Sequence, residues 1–230
     1  MAVAGLSVEL GGTRILRDVT LDVASGSTVA LIGRNGAGKT TTLRAIMGLV
    51  ARQDGTIRFH GAAVDGLATH QRARLGIGYV PEDRRMISAL SVESNVLLPA
   101  DACKLAAGER GARLERVYAL LPELTKMRER SAGSLSGGQQ KMVALGRALM
   151  IGSRLLLLDE PFQGLSPALS RNYAETLAGL RERDSELAIL VAEANPALLR
   201  PLAGIWYAIE RGAVTRQDAG APAPAPVHSG

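Results

Sequence analysis

Residues 28–40 read TVALIGRNGAGKT, and this stretch constrains the fold of the 230-residue chain most tightly. Its apolar run, residues 28–33, ends in glycine, as a strand covered on both faces does. Residues 33–40 then fit the pattern G-x-x-x-x-G-K-[ST] completely: Gly33, Arg34, Asn35, Gly36, Ala37, Gly38, Lys39 and Thr40. Gly36 and Gly38 let the backbone bend so that successive N–H groups point at phosphate oxygens. Lys39 can reach the β and γ phosphates, and the Thr40 hydroxyl can ligate Mg²⁺. From Lys39 through Thr41 the chain enters a helical pattern, with Leu43, Ile46 and Met47 on one side and Gly48 at its expected end. A glycine-rich turn that binds nothing needs neither the lysine nor the threonine, so the stretch reads as a nucleoside triphosphate site.

Such a site needs a second strand that brings carboxylates to the metal. LLLLDE, residues 155–160, has four leucines to bury it and Asp159 at its exit to hold Mg²⁺. Glu160 follows on the other side of the chain by strand alternation and is the candidate for polarising an attacking water. Just ahead lies LSGGQ, residues 135–139. Ser136 and Gln139 read as a capping box at the start of a helix. Capping does not explain the two glycines Gly137 and Gly138, which leave bare N–H groups at a helix N-terminus, a second anion site. The first loop already serves this chain's own nucleotide, so the second makes sense facing a nucleotide held by another subunit.

Around these motifs the pattern is α/β. Val19, Leu21 and Val23 alternate with polar or small residues as in a half-buried strand, and DGTIRFHG reads as a short hairpin strand. From about residue 84 to 134 short helical pieces dominate. RLERVYALLPEL is the clearest, with an apolar stripe of Leu114, Val117, Leu120 and Leu121. Then come a helix from Ser136, the strand LLLLD, a helix near residues 168–183 and the strand AILVA. Strands alternating with helices predict a mainly parallel sheet covered on both sides. The boundaries expected are one domain over 1–216, with its core at about 1–83 and 154–216, a helical insertion at about 84–153, and a disordered Pro/Ala tail over 217–230.

Bulk properties narrow the class further. Net charge is +5 with a pI near 9.8, but the basic residues are scattered or, as at Arg72–Arg74 and Arg84–Arg85, isolated or beside acids. A solvated surface, with no nucleic-acid partner, is the reading that follows. The single cysteine, Cys103, excludes an internal disulfide and fits a reducing compartment. The N-terminus lacks the basic start and apolar core of a signal peptide, and residues 155–158 and 188–192 are too short to span a bilayer. His60, His70 and His228 show no metal-ligand spacing.

The order GRNGAGKTT, LSGGQ, LLLLDEP resembles that of ATP-binding-cassette (ABC) ATPases over nearly the whole chain, the tail excepted. ALIGRNGAGKTTTLRAIMGL, GIGYVPEDRRMISALSVESNVLL and LLLLDEPFQGLSP are most similar to the ATPase subunits of importers for branched-chain amino acids and related amides or urea. The resemblance implies a phosphate-loop α/β core with a mainly parallel sheet, an N-terminal antiparallel β portion and an inserted helical subdomain. It implies ATP and Mg²⁺ as ligands and ATP hydrolysis coupled to solute import. A second cassette would pack head to tail, expected as a heterodimer, with Ser136, Gly137, Gly138 and Gln139 meeting the partner's ATP. Transmembrane permease subunits and a solute-binding protein would complete the system, and the cassette would sit on the cytoplasmic face of the membrane through the permease. Residues 84–134 would form the coupling surface. Glu82 stands where most cassettes carry a glutamine near Mg²⁺ and water, and this importer branch often has glutamate. Ser166, in GLSP, stands where many cassettes have aspartate, and Asn195 also suits the branch.

Two positions depart from the family pattern. Leu10 occupies the place of the aromatic ring that usually stacks on adenine, so weaker base discrimination is expected. Ala194 lies where most cassettes carry a histidine that hydrogen-bonds the γ-phosphate, and where this branch often has glutamine. Alanine's side chain cannot donate, and removing one transition-state donor costs on the order of 10²–10³ in rate. The expectation is therefore a site that binds ATP and hydrolyses it slowly. The alternatives are a largely non-catalytic nucleotide clamp within an asymmetric cassette pair, or a donor supplied by a neighbouring residue or a partner.

Overall fold

The computed structural model describes residues 1–83 and 86–217. Arg84 and Arg85, and the expected tail from residue 218 with His228, lie outside the described residues. Gln217, expected to begin the tail, instead closes the last strand.

Ten strands and seven α-helices are described. They run β1 Ala2–Leu10, β2 Thr13–Asp22, β3 Thr28–Ile32, α1 Lys39–Met47, β4 Asp54–Phe59, β5 Ala62–Ala63, α2 Thr69–Arg74 and β6 Ile77–Val80. There follow α3 Val92–Ala102, α4 Ala107–Leu120, α5 Pro122–Met127, α6 Gly137–Ile151, β7 Leu155–Asp159, α7 Pro167–Arg183, β8 Ala188–Glu193, β9 Ile205–Glu210 and β10 Ala213–Gln217. The stripe expected as one helix over residues 113–124 is broken into α4 and α5. Pro122 has no N–H to continue α4 and starts α5 at its first turn, where none is needed.

A six-stranded sheet in the order β10-β9-β3-β8-β7-β6 forms the centre, parallel throughout except for the β9–β10 hairpin. The second sheet, β2-β1-β4-β5, is antiparallel. Strand periodicity of two sends the residues of each central strand alternately to two cores. Leu156, Leu158, Ile189 and Val191 face a core shared with α3, α4, α6 and α7. Val29, Leu31, Leu155, Leu157 and Leu190 face the other, closed by α1 and the antiparallel sheet. This explains why the strands read as unbroken apolar runs: both faces are covered.

The close approach of β1 and β4 within the antiparallel sheet depends on glycine at one point. Gly55 sits at φ 90°, and a Cβ there would lie 2.5 Å from the backbone of Gly5 in the neighbouring strand.

Parallel order brings the C-terminal ends of β3, β7 and β8 to one edge, where ligands of open α/β sheets bind. Their register is tight: Ile32 pairs with Glu193 and Asp159 with Ala192. Leu156, fully buried in the helix-facing core, holds this edge from below. Leu156→Ala is expected to lower unfolding free energy by about 2–5 kcal/mol. Urea denaturation checks this through a lower midpoint at unchanged slope.

Candidate nucleotide site

The turn from β3 into α1 has the backbone that its glycines permit. Gly36 and Gly38 lie at φ 79° and 115°, a region that side chains disfavour. A Cβ on Gly38 would approach Leu16 Cδ2 to 2.8 Å, whereas Gly36 faces open space. Gly33 packs against the Ile209 carbonyl so closely that no Cβ fits there either. Helix α1 begins after Gly38 with no side-chain cap, leaving first-turn N–H groups to point at the loop's concave side.

Lys39 is buried, with its ammonium donating to the carbonyls of Gly33 at 2.7 Å and Arg34 at 3.2 Å. It also pairs with Glu160 Oε1 at 2.9 Å. Thr40 Oγ1 donates to Asp159 Oδ1 at 2.9 Å, and the Tyr79 hydroxyl donates to Asp159 Oδ2 at 3.0 Å. Strand alternation predicts opposite directions for Asp159 and Glu160, yet both side chains meet the phosphate loop. Glu160 leaves the strand at φ 47°, which swings its carboxylate back to Lys39. Holding a non-glycine residue in that region costs about 1–3 kcal/mol and is a feature of functional sites.

Lys39, Thr40 and Glu160 line a cleft of about 420 Å³ together with Asn35, Gly36, Gly38, Thr41 and Glu82, while the buried Asp159, bonded to Thr40, is not part of that lining. Gln163, which the sequence did not single out, lines it too. Leu10 does not: it ends β1, 43% exposed, and Ile15 is the apolar residue on the cleft wall. Ser136 caps α6 through the Gln139 N–H, and the Gln139 side chain returns to the Ser136 N–H, completing the expected capping box. None of Ser136, Gly137, Gly138 and Gln139 lines the cleft, so the structure does not bring them to this chain's own phosphate loop.

The donor set suits Mg²⁺ in a particular way. Among the described residues no cluster of three His, Cys, Asp or Glu side chains could hold a metal alone. Mg²⁺ characteristically takes one or two carboxylates and completes its shell with water and substrate phosphates. Thr40 Oγ1 and Asp159 Oδ1, in mutual contact beside the loop, fit that demand, with the exposed Glu82 on the cleft wall. Burial raises the Asp159 carboxyl above its usual range, opposed by the hydrogen bonds from Thr40 and Tyr79, while the charges of Glu82 and Glu160 add to the rise. A cation placed there would relieve that strain on the charged form.

Glu160 has a second carboxyl beside it, on Glu193 at the end of β8. Burial and then the hydrogen bond and charge of Glu160 push Glu193 up to about 8. For Glu160, burial acts upward but is outweighed by hydrogen bonds from Glu193 and Lys39 and by the Lys39 charge, so it lies below the usual range. The two carboxyls titrate as a pair, with Glu193 pushed toward its protonated form and Glu160 toward its ionised form. The sequence gives little sign of this, because a glutamate closing an apolar strand looks like an ordinary solvated end. Ala194 donates its N–H to Glu160 Oε2 at 3.3 Å and to Glu193 Oε1 at 3.0 Å. Asn195 and Ser166 serve local roles, accepting from the N–H groups of Ala197 and Leu169.

The family model for ABC transporters matches residues 16–163, and the chain belongs to that family as an ATP-binding cassette subunit. It is 37% identical over 216 residues to the high-affinity branched-chain amino acid transport ATP-binding protein BraG of Pseudomonas aeruginosa, covering 94% of this chain and 91% of the relative. It is also 37% identical over 186 residues to the lipopolysaccharide export system ATP-binding protein LptB of Escherichia coli K12, covering 80% and 76%. Among solved structures, an ATP-binding subunit of an ABC transporter superposes with TM-score 0.78 at 28% identity, over 94% of this chain and 89% of that one. ATPases of this family hydrolyse ATP, normally with Mg²⁺, and work with transmembrane permease components. No helix among the described residues is long and apolar enough to cross a membrane itself.

Lys39→Ala removes the one ammonium that the loop holds and is expected to weaken ATP binding by roughly ten- to hundredfold, the value of a charge-assisted hydrogen bond. Displacement of a fluorescent nucleotide from the purified chain checks this.

Proposed function

We propose that this chain binds and hydrolyses ATP as the cassette of an importer for branched-chain amino acids or related small amino acids and amides. The observation that carries the chemistry is the meeting of Lys39 with Glu160 in the cleft, and of Thr40 on its wall with the buried Asp159. Lys39, freed from Glu160 by the arriving phosphates, neutralises charge on the β and γ groups, as do the N–H groups of the loop. Thr40 and Asp159 would hold Mg²⁺, with Glu82 at its edge, and the ion would spread phosphate charge and align the leaving oxygen. Glu160, ionised and turned into the cleft, accepts a proton from the water that attacks the γ-phosphate in line, giving ADP and phosphate. A second cassette would supply its own signature residues to this nucleotide, as Ser136, Gly137 and Gly138 would serve the partner's.

Import is favoured by the BraG likeness, which spans nearly all of both chains, whereas the exporter LptB aligns over less of each. The motifs around Glu82 and GLSP point the same way. The assembly would then lie on the cytoplasmic face of the membrane beneath its permease, with a solute-binding protein delivering cargo. Residues 84–134 are the proposed coupling segment; Arg84 and Arg85 aside, it is helical over α3 to α5.

One observation favours a second reading, a slow site in an asymmetric pair. Residue 194 presents only its backbone N–H, and that group is already engaged by Glu160 and Glu193. The two readings part on one substitution. Glu160→Gln in this chain alone is expected to abolish most ATP turnover of the assembled transporter while leaving ATP binding intact. Substantial residual turnover would place hydrolysis in the other cassette. Ala194→His is expected to raise turnover, up to about the hundredfold that one transition-state donor supplies. Unchanged steady-state turnover in that variant would remove the missing-donor argument.

A further inference from the structure

Glu193 carries more of the site's geometry than any residue outside the motifs. Its backbone carbonyl accepts the N–H of Gly33, the first residue of the phosphate loop, at 3.3 Å. Its carboxyl accepts the N–H groups of Ala194 at 3.0 Å and Phe162 at 3.4 Å, and lies beside the Glu160 carboxyl, with which it shares the Ala194 N–H. The side chain is only 4% exposed. It therefore grips the turn after β7 at Glu160 and again two residues on at Phe162, while its main chain fixes the loop opposite. Glu160 needs such a grip, because its left-handed backbone is not a conformation that glutamate adopts unaided.

We propose that Glu193 is the positioning residue for Glu160, holding its carboxylate in the cleft from the side where residue 194 offers no polar side chain. This rests on the reading of Glu160 as the base. A carboxylate that accepts a hydrogen bond from a fixed neighbour keeps one orientation when Lys39 turns to the nucleotide. Without it, Glu160 keeps only the Ala194 N–H at 3.3 Å, a long bond that constrains direction weakly. The role is one of aim and predicts an effect on turnover with little effect on ATP binding.

Glu193→Gln, Glu193→Asp and Glu193→Leu in the full chain, assembled in its transporter, test this by steady-state ATPase kinetics. Glutamine still accepts from Ala194 and can donate to Glu160, giving up only the long Phe162 bond at 3.4 Å, so kcat is expected within about threefold of wild type. Aspartate keeps the acid but is one methylene too short to reach Glu160, and kcat is expected to fall roughly ten- to hundredfold at unchanged KM. Leucine should match aspartate in kcat, and in a Glu160→Gln background neither should cause a further fall. The proposal is overturned if Glu193→Asp turns over like wild type, if Glu193→Gln falls as far as Glu193→Asp, or if the losses add to that of Glu160→Gln. Because aspartate and glutamine are both polar and no larger than glutamate, their contrast decides the matter even if the leucine variant does not fold. Should Glu160→Gln itself leave turnover unchanged, the assignment of the base fails, an outcome distinct from any result at Glu193.

Discussion

The contact between Lys39 and Glu160, at 2.9 Å and almost wholly buried, ties together the two ends of the site. It can form only if β3 and β7 end level with each other, and β8 enforces this by pairing with both. The apolar runs that make these strands therefore have a second consequence besides burial. By filling both cores they fix the height at which the phosphate loop and the carboxylates emerge, to within the tolerance that a charge-assisted hydrogen bond demands.

Electrostatics at this edge is organised by crowding. Asp159, Glu160 and Glu193 are all nearly inaccessible, and three ionised carboxylates so placed would repel strongly. Each has a different remedy. Asp159 accepts from Thr40 and Tyr79, Glu160 pairs with Lys39, and burial beside Glu160 pushes Glu193 toward its protonated form. The arrangement leaves Glu160, held toward its ionised form, at the cleft with its charge balanced by Lys39. On the proposed reading, incoming phosphates would claim Lys39 and so free Glu160.

Outside this edge, the molecule keeps the two glycine-flanked helix starts apart. The start of α1 opens on the cleft, while the start of α6, with Ser136, Gly137 and Gly138, does not line it. On the proposed reading, such a layout would present half of a composite site, to be completed by a second subunit. The capping box at Ser136 and Gln139 keeps this helix start ordered without help from the nucleotide.

Local chemistry explains what could be read from the sequence. The phosphate loop, the apolar strands and the cap of α6 are dictated by neighbours in the chain, through glycine conformation, strand periodicity and capping geometry. Lys39, Thr40, Asp159 and Glu160 could be named because each follows such an element directly. Strand alternation misjudged the direction of Glu160, since a positive φ at a single residue cannot be seen in a strand pattern. Ile15 in place of Leu10 on the cleft wall and the entry of Gln163 depended on how the β1–β2 hairpin and the turn after β7 pack, contacts between segments far apart in the chain. Glu193 was legible only as the end of a strand. Its meaning came from the parallel register that sets it beside Glu160, because a buried pair of carboxyls exists only once two distant strands are neighbours. The sequence by itself determined which groups could meet a nucleotide; tertiary structure decided which of them touch, because only packing sets distant strands side by side.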